Sequence, residues 1–264
     1  MMLCLLFWLF VPDAVQTASE LDRKGAEAFA LGNYDEAARH QKRALVLWNE
    51  VAAIRAVDLD GPHFNLAQTY LAQGKLSAAQ GEAELSRSFV TPPNRDRVSL
   101  LFAQIYFQTG NYAEAEQELR AVLPNLEGTN LATVLNDLGM VRAALGNLEE
   151  ARRLLEDSLS VRQQTSAAPG PDGGRTFGNL ALVRFRQGDL PAAATLYSKA
   201  IPLLESRLGP EHPHLGMVLA EYSQVLRKLG NKSEAKRIER RAKAILATSL
   251  QPSGLHSVDL HSLR

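Results

Sequence analysis

The chain has 264 residues, enough for one ordinary domain or two small ones, and its 45% hydrophobic and 22% charged content excludes wholesale disorder and collagen-like repetition. Lys plus Arg is 29 and Asp plus Glu is 29, whereas a dedicated nucleic-acid binder needs a cationic excess to displace counterions, so no specific nucleic acid is expected. A single cysteine, Cys4, excludes an internal disulfide or a zinc ribbon.

The first element is the run Leu3–Val11, nine consecutive apolar residues. A bilayer span takes roughly 17 to 25 residues, so the run fits the hydrophobic part of a secretory signal better than a membrane helix. Small residues at Ala14 and Ala18 suit a cleavage site, although no Lys or Arg precedes Arg23. The reading is a signal peptide over residues 1–18 and an exported chain, periplasmic or secreted. The alternative is an apolar N-terminal helix packed on the first structural repeat, in a cytoplasmic protein.

From residue 19 to 250 the chain repeats itself. Glycines stand at Gly32, Gly74, Gly110, Gly146, Gly188 and Gly230, at steps of 42, 36, 36, 42 and 42, and five places after each comes an alanine. Seven places before each the residue is small: Gly25, Ala67, Ala103, Gly139, Ala181 and Ser223. Two places after come Tyr34, Leu76, Tyr112, Leu148 and Leu190, with Lys232 the exception. Each unit reads as two helices broken at the glycine, which supplies the left-handed backbone that ends the first. Asn33, Asn111, Asn147, Asp189 and Asn231 come next and suit N-caps of the second helix. One pair of helices cannot bury its apolar face alone, so the units must stack, near 19–50, 60–90, 95–126, 131–165, 174–208 and 214–250.

The segments GNYDEA, GNYAEAEQEL and GNLEEARRLL resemble tetratricopeptide repeats (TPR). The stretch Phe177–Gly216, with its NLA start, Q-G turn and LG-x-x-HP linker, is similar to the 42-residue type of kinesin light chains. The resemblance covers roughly residues 20 to 250 and implies an all-α fold, a right-handed α-solenoid of about six TPR helix pairs. Departures are Lys24, where a large apolar residue is usual, and Arg142 and Arg184, where Tyr70 and Tyr106 set an aromatic pattern. The two arginines either loosen the middle of the array or pair with neighbouring acids. Among the linkers, the Pro/Gly/Ala/Ser-rich Gln163–Thr176 reads as a mobile loop and residues 251–264 as a flexible tail.

Catalytic and metal motifs are missing from the sequence. There is no G-x-x-x-x-G-K-[ST], no H-E-x-x-H and no G-x-S-x-G. His212 and His214 fall in the HP linker that the repeat type already explains, and Glu149 with Glu150 sits where acids favour a helix start. No enzyme activity, cofactor or metal is expected.

The resemblance implies a concave groove lined by the first helices. Aligned on the glycine, one groove position holds Arg23, Asn65, Leu101, Asp137, Asn179 and Glu221. Asn65 and Asn179 stand out because an amide offers both a donor and an acceptor to an extended peptide backbone, the use the family makes of it. Asparagine there also serves solubility alone. Neighbouring positions include Phe64, Gln68, Gln104, Phe107, Phe185, Arg186, Arg227 and Lys228, which suit either recognition or partial burial between repeats. Arg97, Arg175, Arg186, Arg227 and Lys228 favour an acidic ligand, although the spaced clamps of chaperone-binding relatives are not reproduced.

The last helix, from Ser233 to Leu250, has a basic outer face around an apolar stripe, as a terminal cap needs. Residues 226–250 carry a net +6 and residues 1–225 a net −6, so the even total conceals a lengthwise polarity. A basic amphipathic helix also suits weak membrane association. The expected function is a non-catalytic scaffold for a protein or peptide partner. The alternatives are a membrane-associated assembly factor and a regulatory module for a separately encoded enzyme.

Overall fold

The computed structural model describes residues 2–53, 56–165 and 170–249. Among them are twelve α-helices and two single-turn 3-10 helices, with no strand. In chain order the helices are α1 (Met2–Ala30), α2 (Tyr34–Ala52), α3 (Asp60–Ala72), α4 (Leu76–Phe89), α5 (Arg95–Thr109) and α6 (Tyr112–Val122). Then come α7 (Gly128–Ala144), α8 (Leu148–Thr165), α9 (Gly170–Arg186), α10 (Leu190–Leu208), α11 (Pro213–Lys228) and α12 (Lys232–Ser249). The fold class expected from the ladder is the one observed: an all-α array of six helix pairs. No described helix is long and apolar enough to cross a membrane.

The six ladder glycines all have positive φ, from +71° at Gly74 to +85° at Gly188. At each turn the same two backbone bonds close the first helix. The Gly32 amide donates to the Phe29 carbonyl at 2.9 Å and the Asn33 amide to the Ala28 carbonyl at 2.8 Å, and the other five turns repeat this pattern. That is the Schellman closure, which only a residue free to adopt the left-handed backbone supplies without strain. The recurrent geometry explains the alanine five places on as well. Ala37 and its five equivalents donate back to the residue after the glycine and are at most 1% exposed, so any larger side chain would push the paired helices apart.

One sequence expectation fails in part at these turns. Asn33 and Asn111 make no side-chain capping bond, and the second repeat uses Lys75 at the same place. Asp189 does cap as expected, with Oδ1 accepting from the Ala192 amide at 3.2 Å. The post-glycine residue serves mainly through its backbone, whose N–H ends one helix and whose C=O begins the next.

The chain divides into two compact units, with the boundary between Ile105 and Tyr106, inside α5. In the first unit α1 packs on α2 and α3 on α4, around Ala18, Ala44, Leu66, Ala67, Ala79 and Ala83. The second unit is built on α7–α8, α9–α10 and α11–α12, stacked in order. One buried cluster in it holds Tyr197, Leu204, Leu215, Leu219 and Ile245. Close approach is visible at Gly174, where a Cβ would stand 2.8 Å from Leu203 Cβ and 3.1 Å from the Leu204 amide nitrogen.

The expected mobile loop is corrected by the helix ends: Gln163–Thr165 belong to α8, and Gly170–Thr176 to α9. Glycine and proline are tolerated in a first helical turn, where backbone amides have no intrahelical acceptor anyway. The linker shrinks to residues 166–169, which, like the expected tail at 251–264, lie outside the described residues.

Candidate functional site

In the first unit the most organised polar feature centres on Asp60, at the start of α3 and fully buried. Asp60 lies fourteen places before Gly74. At that spacing four other repeats have Ala18, Ala132, Gly174 and Gly216, all small, because this is where the first helix meets the end of its partner; the third repeat has Asp96, which is only half-buried. The Asp60 carboxylate is satisfied on all sides. Ser86 Oγ donates to Oδ1 at 2.6 Å, Asn94 Nδ2 to Oδ2 at 3.0 Å and Arg97 Nη2 to Oδ2 at 2.5 Å. Arg97 also lies over the Phe64 ring, 4.6 Å from its centroid. Two residues expected in a groove therefore form a structural clasp that ties the linker before α5 to α3. Nearby, His63 Nδ1 lies 2.7 Å from Glu82 Oε2, and the ring stacks on Phe89 at 5.9 Å. Asn65, Gln68 and Gln104 are half-buried.

In the second unit the inner positions of α7, α9 and α11 carry a chain of polar side chains. Asn179 is only 4% exposed, and its Nδ2 donates to Asn136 Oδ1 at 3.0 Å. Asn136 Nδ2 in turn donates to Asp137 Oδ1 at 3.1 Å. One of the two N–H donors of the Asn179 amide is thus committed within the protein. Glu221, at the equivalent position of α11, accepts from the hydroxyl of fully buried Tyr197 at 2.9 Å. Burial pushes the Glu221 carboxyl up to about 7, against the Tyr197 hydrogen bond and the Arg186 charge, which act to lower it. The Tyr197 hydroxyl is raised too, by burial and then by the Glu221 charge.

The cations divide by circumstance. Arg186 is exposed, and its Nη1 reaches the Ala143 carbonyl at 3.4 Å. Lys228 is exposed too, and its Nζ stands 4.7 Å from the centroid of half-buried Phe185. Arg227 instead turns to α12 and pairs with Glu239 at 2.5 Å, while Arg175 is half-buried on α9. Phe107 is 2% exposed and packs edge-on against Tyr112. Much of the basic final helix is paired with acids: Arg237 with Glu234 at 2.6 Å, Lys243 with Glu239 at 2.8 Å, and Arg241 with Glu205. The departures from the repeat pattern are paired as well. Arg142 meets Glu116 and, at 3.2 Å, Glu150, Arg184 meets Glu156 at 3.2 Å, and Lys24 meets Glu20 at 2.8 Å.

Among the described residues no three metal-ligating side chains come together, and His212 Nδ1 accepts from the His214 amide at 3.1 Å as the cap of α11. Sequence reasoning missed Asp60, Asn136 and Tyr197. A second alignment column, fourteen places before each glycine, would have exposed Asp60 as a carboxylate in a column of mostly alanine and glycine.

The tetratricopeptide repeat sequence pattern matches residues 96–164 and 174–248. The Arabidopsis thaliana protein Kinesin Light Chain-Related 3 is 24% identical over 133 residues, which is 48% of this chain but only 20% of that protein. The solved structure of BtubC (BKLC) from P. vanneervenii superposes with a TM-score of 0.59 at 18% identity, covering 90% of this chain and 92% of the other. A Rap protein solved in complex with Competence and Sporulation Factor superposes with a TM-score of 0.60 at 14% identity, covering 86% and 74%. At such identities the structural likeness extends to the fold alone. With six turns of the same closure and the sequence pattern matched over more than half its length, the chain belongs to the tetratricopeptide repeat family.

Proposed function

We propose that the protein is a non-catalytic scaffold that holds a peptide or protein partner on the inner helices α9 and α11 of its second unit. The observation that carries this reading is the pairing of a half-buried aromatic with exposed cations: Phe185 under Lys228, beside Arg186. An aromatic left partly open and rimmed by donors is the composition of a recognition surface, and the two cations favour an acidic ligand. The buried polar chain Asn136–Asn179 holds the helices beneath that surface in register. The Rap protein of similar fold, solved in complex with Competence and Sporulation Factor, supports the reading by analogy.

The test is selection of a displayed random peptide library against the protein. Enriched acidic peptides should lose about tenfold in affinity on Phe185→Ala or Lys228→Ala, the cost of one aromatic or cationic hot-spot contact. They should be indifferent to Lys236→Ala on α12. Failure to enrich any peptide, or loss only on Lys236→Ala, would contradict the reading. Export by residues 1–18 belongs to the same proposal. Fractionation of cells expressing the full chain and a variant lacking those residues tests it, and intact full-length protein in the cytosol would refute it.

A further inference from the structure

We propose that the outward face of α12 is a docking surface for an anionic membrane, formed by Lys232, Lys236, Arg240 and Lys243. These residues stand at i, i+4, i+8 and i+11 of one helix, so they make a single row about 17 Å long. All four are exposed. Ala235, Ile238, Ala242 and Ile245, on the opposite side of the helix, are buried, so the row faces solvent, away from α11. The proposal is independent of the inner-surface reading, which uses α9 and α11, and either can fail without the other.

Other rows of this spacing close into ion pairs, such as Glu116 with Arg120 at 2.5 Å and Arg152 with Glu156 at 2.6 Å. Like charges four residues apart repel and destabilise a helix, yet α12 carries two such steps in succession, 232 to 236 and 236 to 240. Its acids do not offset them. Glu234 pairs with Arg237 at 2.6 Å, and Glu239 is shared between Lys243 at 2.8 Å and Arg227 at 2.5 Å. Among the described residues, the side chains of Lys232, Lys236 and Arg240 make no ion pair or hydrogen bond. A row of fully exposed cations holds a folded protein weakly, because exposed ion pairs contribute little. The helix has no aromatic residue on which nucleic-acid bases could stack. A bilayer containing anionic lipid needs neither a pocket nor a stacking platform. It offers a continuous plane of negative headgroups, and each Lys or Arg near that plane adds to the attraction.

The experiment mixes the full chain with vesicles of phosphatidylcholine containing about 30% phosphatidylserine and, separately, of phosphatidylcholine alone, in about 0.1 M salt, and reads binding by flotation. The surface predicts binding to the anionic vesicles, none to the neutral ones, and release in about 1 M salt, where charges are screened within about 3 Å. Lys236→Gln and Arg240→Gln should each weaken the partition about fivefold. Arg153→Gln, at an exposed position on α8, should leave it unchanged. Lys236→Glu separates docking from a merely structural cap: it should abolish vesicle binding while raising the urea midpoint, because a repulsive row becomes an attractive one. Binding to neither vesicle overturns the proposal, and so does equal binding to both, or binding unchanged in Lys236→Glu. Retention of a single-stranded oligonucleotide without vesicle binding would assign the row to nucleic acid and overturn it equally.

Discussion

Replacing Glu221 by glutamine should stabilise the protein at neutral and alkaline pH and change little in acid. The side chain of Glu221 lies at the inner surface of α11, with its carboxyl held by the Tyr197 hydroxyl at 2.9 Å and raised by burial from an ordinary 4.5 to about 7. A raised carboxyl means that the folded protein keeps its proton while the unfolded chain has already lost it. The contribution of Glu221 to stability is therefore greatest below the unfolded value, falls as pH rises from about 4.5 to about 7, and levels off above that. The shift corresponds to about 3 kcal/mol across the window. Glutamine imitates the neutral acid at every pH and still accepts from Tyr197, so it escapes the loss. Urea unfolding followed by far-UV dichroism at pH 4, 5, 6, 7 and 8 reads the difference between the two proteins. It should open from near zero at pH 4 to about 3 kcal/mol at pH 8 in favour of the variant. Tyr197→Phe removes the hydrogen bond that favours ionisation and should move the transition to still higher pH. A constant difference across the series, or a variant less stable than the parent at pH 8, would refute the reasoning.

Other consequences come from the packing. Asp60→Ala strands Ser86, Asn94 and Arg97 around an empty site and should cost about 3 kcal/mol, read as a lower urea midpoint. Gly174→Ala places a Cβ 2.8 Å from Leu203 Cβ against unyielding helix backbone and should cost about 1–3 kcal/mol by overpacking. Gly146→Ala meets nothing within 4 Å but forces alanine to φ +84°, a strain of about 1–2 kcal/mol. Equal losses for Gly174→Ala and a control at Gly61, which is helical and open, would contradict the close-approach account.

The fold was legible because its constraints recur. A left-handed turn admits glycine, a tight crossing admits alanine, and six copies of both at one spacing leave little else to propose. The helix ends were less legible. Gln163–Thr176 looks like a loop by composition, yet most of it is helical, since glycine and proline carry little penalty in a first turn and neighbouring α10 leaves space only for Gly174. The candidate site was legible as a set of positions but not as a set of roles. Spacing placed Asn179 and Arg97 on first helices; it could not reveal that Asn179 is occupied by Asn136 or that Arg97 is claimed by Asp60, because those partners stand 43 and 37 residues away. The ambiguity at Arg142 and Arg184 had the same origin. Pairing with Glu116, Glu150 and Glu156 depends on which faces meet, and periodicity alone does not supply that.

The central claim is that partners are held on the inner helices of the second unit. A photo-crosslinking residue placed at Arg186, and for comparison at exposed Arg153 on α8, tests it most directly, using an acidic peptide enriched from the displayed library. The account predicts a covalent adduct on irradiation from position 186, suppressed by excess unlabelled peptide, and none from position 153. An adduct formed from position 153 and absent at 186 would contradict it.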